Sequence, residues 1–116
     1  MIKLVGMLKR KPGMTSEEFH RYWRERHAPF VQTIPEFTRY VRKYVQSHAT
    51  ADQATVPGTN SAPPFDGLAE IWFDSIDDVR NAFSEPRYVS EIRADELKFL
   101  DLPNCLSVIV EEIAMA

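Results

Sequence analysis

His27 is the residue whose type and position most favour chemistry in this sequence. It lies within TSEEFHRYWRERHAPFVQTIP, four residues after Trp23 on the same apolar face and two residues before Pro29. Imidazole takes up and releases a proton near neutral pH, so a histidine directed into a cleft can act as a general acid or base. Because proline lacks the backbone N–H, we predict a kink or break in the helix near Ala28. The alternative role for His27 is a buried histidine bonded to backbone carbonyls.

Glu70 is the second candidate for chemistry. It lies in the middle of the apolar segment GLAEIWF, residues 67–73. A carboxylate in such a strand is unfavourable unless it has a partner or faces a solvated cavity. We predict that Glu70 orients His27 or acts as a second acid–base group, and a structural ion pair with an arginine is the alternative.

Aromatic side chains are candidates for the walls of a pocket that binds a planar ligand. These are Trp23, Tyr44 and Trp72, and His48 joins them because it lies near the end of a predicted strand, beside a long loop. The same aromatic spacing is also typical of an ordinary hydrophobic core. The histidines and Glu70 show no recognised metal-ligand spacing, so we expect no metal ion, and we expect no other cofactor.

The composition is that of one ordinary globular domain. The chain has 116 residues, of which 44% are hydrophobic, 27% are charged and 11% are aromatic, and its net charge is −3. An acidic chain without a base-stacking motif is not expected to bind nucleic acid. No apolar run approaches the roughly 18 residues of a membrane-spanning helix, so no membrane partner is expected. Cys105 is the only cysteine, which excludes an internal disulfide and favours a cytoplasmic location.

The hydrophobic pattern predicts the element order β-α-β-β-α-β. The predicted strands cover residues 2–9, 37–49, 67–73 and the final segment CLSVIVEEI. Thr15 and Glu18 fit a capping box at the start of the first helix, Ser75 caps the second, and Pro86 starts a further helical piece that ends near residue 99. The stretch over residues 50–65 is predicted to be a loop, and its length suits a lid, a binding loop or a mobile segment.

This order is that of the ferredoxin-like α+β fold, in which a four-stranded antiparallel sheet carries helices on one face. The other face of such a sheet should be polar in a monomer. Apolar and aromatic side chains nevertheless fall opposite the most apolar sets: Val5, Met7, Tyr40, Tyr44, Leu68, Trp72 and Ile109. Two helices cannot cover both faces, so we predict a homodimer that packs sheet against sheet and forms an α+β barrel.

Three segments, KRKPGMTSEEFHRYWRERHAP, DGLAEIWFDSIDD and ADELKFLD, resemble the EthD family of the dimeric α+β barrel superfamily. They occur in the family's order and span most of the chain. The resemblance implies one EthD-like domain over residues 1–116, dimerised through its sheet, with a cleft between sheet and helices. It also implies that His27 is the histidine of the family's W-x-x-x-H-A-P segment, and that Tyr40 matches a tyrosine that lines the active site of isomerase relatives.

The resemblance and the candidate residues together predict a cofactor-independent enzyme that binds a small cyclic or aromatic metabolite. His27 would move a proton beside a carbonyl, in a dehydration or an isomerisation, while Glu70 orients it and Tyr40 contacts a substrate oxygen. A binding or accessory protein of a catabolic pathway, with no chemistry of its own, is the alternative. An oxygen-using monooxygenase of the same superfamily is a third hypothesis.

Overall fold

Four antiparallel strands form one sheet in the spatial order β2-β3-β1-β4. The computed structural model describes residues 1–53, 56–59 and 64–116. The strands are β1 Ile2–Leu8, β2 Lys43–His48, β3 Gly67–Phe73 and β4 Leu106–Glu111. This order, with helical segments between β1 and β2 and between β3 and β4, is the predicted ferredoxin-like α+β arrangement. The loop predicted over residues 50–65 includes 54–55 and 60–63, which lie outside the described residues, so its role stays a prediction.

The first helical region connects β1 to β2. Its pieces are α1 Ser16–Tyr22, a π-helical turn Trp23–His27, α2 Ala28–Val31 and α3 Pro35–Thr38. The predicted capping box starts α1, since the Glu18 N–H donates to Thr15 Oγ1 at 3.1 Å and the Thr15 N–H donates to Glu18 Oε1 at 2.9 Å. Two of the four free N–H groups near the helix start are thereby satisfied.

The irregularity predicted near Ala28 is a widened turn and not an interruption of the helix. The Ala28 N–H donates to the Trp23 carbonyl, five residues back, as in a π-helix. Pro29 follows in the first turn of α2, where its missing N–H is tolerated. Both ends of the widened turn, Trp23 and His27, are buried. The turn therefore directs a histidine and a tryptophan into the interior together.

The prediction of a strand over residues 37–49 is wrong at the N-terminal end of that range, where the structure has a helix. Pro35 supplies the fixed φ angle that suits a first helical turn, and N–H groups of α3 bond back to the Ile34 carbonyl. β2 begins only at Lys43. Tyr40 therefore lies in the connection between α3 and β2 and not in a strand.

The second helical region connects β3 to β4. Its pieces are α4 Ile76–Ser84, a π-helical turn Tyr88–Ile92, α5 Arg93–Glu96 and a short 3₁₀ turn Leu102–Asn104. Ser75 caps α4 as predicted, because its Oγ accepts from the Asp78 N–H at 3.1 Å. No helix in the described part of the chain is long and apolar enough to cross a membrane.

The core between helices and sheet is divided into two clusters. The first contains Ile34, Phe37, Phe73, Val79, Ala82, Tyr88 and Ile92. The second contains Leu8, Phe19, Trp23, Phe99 and Leu100. Ile71 packs against the first cluster and Ala69 against the second, so the predicted inward face of β3 is confirmed.

None of the helices among the described residues packs on the second face of the sheet. Residues paired directly across strands point to the same side, so register assigns this face the following side chains: Val5, Met7, Val45, Leu68, Trp72, Leu106, Val108 and Val110. Leu68, Leu106 and Val108 are 37%, 57% and 45% exposed. The apolar second face predicted from the sequence is therefore present, although Tyr44 and Ile109 do not belong to it because they pair with Ile71 and Leu4 on the helix side.

Gly67 allows the Trp23 ring to approach the start of β3. A Cβ on Gly67 would lie 2.6 Å from Trp23 Cζ3 and 2.8 Å from the Ser47 carbonyl oxygen. We expect Gly67→Ala to lower the free energy of unfolding by about 1–3 kcal/mol, as overpacking of a core does. In the matched control Gly6→Ala the new methyl group meets nothing closer than 3.5 Å, and the change should stay below about 1 kcal/mol. Equal losses in urea denaturation of the two variants would show that the Trp23 contact is unimportant.

Candidate active site

A cavity of about 370 Å³ lies between the helices and the sheet. Most of its walls are apolar or aromatic, including Trp23, Phe37, Ile71, Phe83 and Phe99. The polar side chains among its lining residues include His27, Tyr44 and Glu96, with Gln32, Thr38 and Arg42. Towards β4 a second opening of about 780 Å³ shares part of this lining. An apolar cleft with a few polar groups is the usual form of a small-molecule site.

The His27 ring is fixed by a carboxylate that the sequence did not indicate. Its Nδ1 lies 2.7 Å from Oδ2 of Asp95, which α5 supplies, and the two residues are 7% and 8% exposed. A carboxylate accepts hydrogen bonds, so Nδ1 carries the proton and donates it. The Phe99 ring packs on the imidazole with centroids 4.9 Å apart. The ring therefore has one orientation and one tautomer.

Tyr22 binds the other oxygen of the same carboxylate. Its hydroxyl donates to Asp95 Oδ1 at 2.6 Å, and Lys98 Nζ lies 3.8 Å from that oxygen. Burial and the hydrogen bond to Asp95 raise the pKa of Tyr22 to about 12, so the phenol keeps its proton at neutral pH. Tyr22, Asp95 and His27 form a connected buried network behind the cavity wall.

The second ring nitrogen of His27, Nε2, is the one that Asp95 does not bind. Nε2 has no hydrogen-bond partner among the described residues. Every fully buried side-chain nitrogen or oxygen in the described part of the chain has a partner. Nε2 must therefore reach accessible space, and His27 lines the cavity. A neutral imidazole with Nδ1 bonded to a carboxylate presents its basic lone pair at Nε2.

Tyr44 is another lining residue of this cavity, and two donors hold its hydroxyl oxygen. Its oxygen accepts two hydrogen bonds, from Trp23 Nε1 at 3.1 Å and from Gln46 Nε2 at 2.9 Å. Its own proton has no acceptor among the described residues. Burial raises the pKa of Tyr44, while the two donors act in the opposite direction. The hydroxyl is therefore a neutral, polarised donor beside an apolar space.

A second polar cluster, formed by Tyr88, Arg93 and Glu96, also borders the cavity. Glu96 accepts from the Tyr88 hydroxyl at 3.0 Å and from Arg93 Nε at 2.8 Å. Arg93 in turn donates to the Tyr88 oxygen at 3.2 Å. Burial, followed by the Glu96 charge, raises the pKa of Tyr88, which stays protonated. The Glu96 carboxylate therefore lies in the cavity wall, and the Arg93 guanidinium balances its charge.

Glu70 is not near His27, which corrects the prediction that it orients that ring. It points to the uncovered face of the sheet, opposite the cavity, because it pairs with Val5 and Val45 on that side. Lys3 Nζ lies 3.0 Å from its Oε2, and Ser47 donates to its Oε1 at 3.2 Å. The partner is thus a lysine and not one of the arginines considered from the sequence.

Tyr40 and Trp72 are also outside the cavity. Tyr40 lies under Arg39, whose guanidinium donates to its hydroxyl at 3.0 Å and covers the ring at 4.9 Å. Trp72 faces the uncovered side, donates from Nε1 to Glu112, and has Lys3 and Lys43 ammonium groups over its ring. Tyr44, four residues further along the chain than Tyr40, is among the residues that line the cavity.

The remaining predicted residues are divided between the cavity wall and its support. Trp23 lines the cavity as predicted, whereas His48 lies behind it and packs on the Trp23 ring at 4.5 Å. His48 Nδ1 is 2.7 Å from Nδ1 of His20, which lies on α1. Among the described residues no group of three or more histidine, cysteine, aspartate or glutamate side chains could hold a metal ion.

The sequence held one usable signal for Asp95. It lies three residues after Ile92 and four before Phe99, two buried residues, and therefore falls on the apolar face of its helix. An acidic residue on such a face needs a buried partner. The partner could not be identified from spacing, because 68 positions separate Asp95 from His27.

The fold and the site together define a ferredoxin-like α+β protein with a histidine at an apolar cavity between helices and sheet. The model of the EthD domain matches residues 11–103, which is most of the chain, so the protein belongs to the EthD family.

Known relatives agree with this assignment. The chain is 26% identical over 98 residues to a conidial pigment biosynthesis dehydratase EthD of Metarhizium robertsii, covering 79% of this chain and 68% of the relative. An EthD-like protein of Ralstonia eutropha superposes with a TM-score of 0.70 at 20% identity, over 99% of this chain and 94% of that one. A dimeric ferredoxin-like protein of unknown function from Bacteroides fragilis superposes with a TM-score of 0.60 at 18% identity, over 96% and 95% of the two chains. These likenesses confirm the fold.

Asp95→Ala tests the buried network. The substitution leaves the Tyr22 hydroxyl and His27 Nδ1 without their acceptor, and we expect the free energy of unfolding to fall by about 2–5 kcal/mol. Tyr22→Phe removes one bond only and should cost about 1 kcal/mol. Asp77→Ala, at a surface carboxylate 83% exposed, is the control and should change stability by less than about 1 kcal/mol. Equal stability of Asp95→Ala and Asp77→Ala in urea denaturation would refute the network.

Proposed function

We propose that this protein is a cofactor-independent enzyme that transfers protons on a planar cyclic or aromatic carbonyl compound. The observation that carries the proposal is that one apolar cavity is lined both by His27, whose Nε2 has no partner among the described residues, and by Tyr44, whose hydroxyl proton has no acceptor among them. A base and a hydrogen-bond donor are the two groups that the removal of a proton beside a carbonyl requires. The dehydratase relative at 26% identity supports the same class of chemistry.

The proposed first step forms an enolate. His27 Nε2 takes a proton from the carbon beside the substrate carbonyl, and Tyr44 donates a hydrogen bond to the oxygen on which negative charge develops. Asp95 stabilises the imidazolium that forms, through its bond to Nδ1. Both groups are held in place before the substrate arrives, which lowers the reorganisation needed during the reaction.

The second step decides between the two reaction types. In a dehydration the enolate expels a hydroxyl group from the next carbon, and the His27 imidazolium returns the proton to it, so that water leaves. In an isomerisation the proton is returned to a different carbon of the conjugated system. In both cases the histidine ends in its starting state, and the balance of atoms needs no metal, oxidant or reductant.

Exchange of carbon-bound protons for deuterium tests this chemistry without the natural substrate. Tetralones and indanones are planar bicyclic ketones that suit a cavity of about 370 Å³, and their exchange in D₂O is followed by ¹H NMR. We expect the protein to accelerate exchange of at least one of them. His27→Gln should slow the catalysed rate about 10²–10⁴-fold, and Tyr44→Phe about 10²–10³-fold.

Tyr40→Phe is the matched control, because its hydroxyl bonds to Arg39 away from the cavity, and its exchange rate should equal that of the unchanged protein. A folded His27→Gln protein with an undiminished rate would disprove the mechanism. Binding of these ketones without any accelerated exchange would instead favour the non-catalytic binding or accessory role.

We also propose that the protein works as a homodimer joined through the uncovered sheet face. That face presents apolar side chains around the Lys3–Glu70 ion pair, and two chains packed sheet to sheet would remove it from water. The dimeric relative from Bacteroides fragilis supports this assembly.

Sedimentation at micromolar concentration should give about twice the chain mass of 13.4 kDa. Val108→Glu places a carboxylate on the uncovered face and should shift the protein to a folded monomer, because an unpaired charge would be buried in the interface. Val89→Glu makes the same change at a residue 59% exposed on the helix layer and should leave the dimer intact. A monomeric unchanged protein would disprove the dimer.

A further inference from the structure

Two histidines outside the described chemistry lie directly behind the cavity wall. His20 on α1 and His48 at the end of β2 approach with their Nδ1 atoms 2.7 Å apart and their ring centroids 4.8 Å apart. The His48 ring also packs on Trp23, whose indole forms part of the cavity. The proposed reaction uses neither histidine, so the contact between them needs its own explanation.

The orientation of the Gln46 side chain decides the tautomer of His48. The Gln46 amide nitrogen lies 3.0 Å from the Trp23 carbonyl oxygen and 2.9 Å from the Tyr44 hydroxyl oxygen. A backbone carbonyl only accepts, so the group that faces it must be the NH₂ of Gln46. The Gln46 oxygen is then the atom 2.9 Å from His48 Nε2. Because an amide oxygen only accepts, His48 carries its proton on Nε2.

The tautomer of His48 in turn decides that of His20. A neutral imidazole with its proton on Nε2 has a lone pair on Nδ1. His48 Nδ1 therefore accepts, and the proton in the 2.7 Å contact belongs to Nδ1 of His20. His20 donates to His48, His48 donates to Gln46, and Gln46 donates to Tyr44. All three hydrogen bonds run in one direction, and successive bonds of this kind polarise one another.

We propose that His20 and His48 are positioning residues for Tyr44, because together with the Trp23 carbonyl they hold Gln46 in the one amide orientation that leaves the Tyr44 proton free for a substrate oxygen. A flipped Gln46 would present its oxygen to Tyr44 and accept that proton, which would remove the donor from the cavity. The consequence for catalysis rests on the proposed function, whereas the direction of the chain does not.

The two histidines differ in their response to acid. A proton on the outer Nε2 of His20 leaves the chain intact and strengthens its donation, while a proton on Nδ1 of His48 removes the lone pair that accepts from His20. Burial lowers the pKa of both from the ordinary value of 6.5. At His20 the negative charge of Asp66 raises the pKa, whereas the positive charges of Arg24 and Arg10 lower it. At His48 the charges of His20 and Arg24 lower the pKa further.

The sign of the stability change follows from these directions. Below pH 6.5 these two histidines bind protons more readily in the unfolded chain than in the folded protein, because folding lowers their pKa. The free energy of unfolding therefore falls as the pH drops from 6.5 through the lowered pKa values of the folded state. The double variant His20→Gln/His48→Gln should show a shallower fall in urea denaturation. An equally steep fall would overturn the coupling of this pair to acid.

Long-range ¹H–¹⁵N NMR of the histidine rings at about pH 7.5, where neutral imidazoles predominate, tests the chain directly. The protein has three histidines, so the single variants His20→Gln, His27→Gln and His48→Gln assign every ring signal. We expect the His20 proton on Nδ1 and the His48 proton on Nε2. A His20 ring protonated on Nε2, or a His48 ring protonated on Nδ1, would overturn the proposal, whether or not the enzyme is active.

The ketone exchange assay then tests the link to Tyr44. His48→Phe should lower the exchange rate roughly three- to tenfold, the effect of one hydrogen bond, and should change the rate no further in a Tyr44→Phe background. A loss of equal size in both backgrounds would indicate a structural effect on the fold and overturn the link. If no ketone exchanges even with the unchanged protein, the proposed function fails, while the ring tautomers still decide the direction of the chain.

Discussion

The buried hydrogen bond between Asp95 and His27 is the contact on which the rest of the site depends. It joins the π-helical turn of the first helical region to α5 of the second, across 68 positions of the chain. Both regions must be docked on the sheet before the imidazole has a fixed direction. Tyr22 bonds the other carboxylate oxygen, so neither oxygen of this buried group is left without a donor. The same contact determines which ring nitrogen remains for a ligand, because the carboxylate binds the protonated one.

Small side chains in the middle of the helix-covered sheet face leave space for the opening towards β4, and one of them, Ala69, also lines the cavity. One row across the four strands consists of Gln46, Ala69, Gly6 and Ser107. Large apolar residues collect on the two sides of this row, in separate clusters. Space that leucine or isoleucine would fill in a close-packed core is therefore left for a ligand. One polar member of the row, Gln46, also donates a hydrogen bond to Tyr44.

Local sequence signals predicted the fold well and the site only in part. The capping box and the β-α-β-β-α-β order depend on residues close in sequence, and both are present. His27 was identified because a histidine on an apolar face before a proline is a local feature too. Its partner was not, because contacts between separate helices have no spacing rule, and Glu70 was chosen in place of Asp95. Tyr40 was chosen because the family resemblance matched it to a tyrosine that lines the active site of isomerase relatives, but Tyr40 precedes β2 and Tyr44 lines the cavity.

A crystal structure of the protein with a bound naphthol, a planar bicyclic phenol, would test the central claim most directly. We expect the naphthol ring to lie between Trp23 and Phe99 in the cavity. Its oxygen should be about 3 Å from the Tyr44 hydroxyl, and its edge should contact His27 Nε2. The contrary result is a closed cavity in which His27 Nε2 is bonded to a backbone carbonyl, with naphthol bound elsewhere or not at all. That structure would contradict a ligand site at His27. In that case the histidine would be a structural connection between two helical regions and not the base of an active site.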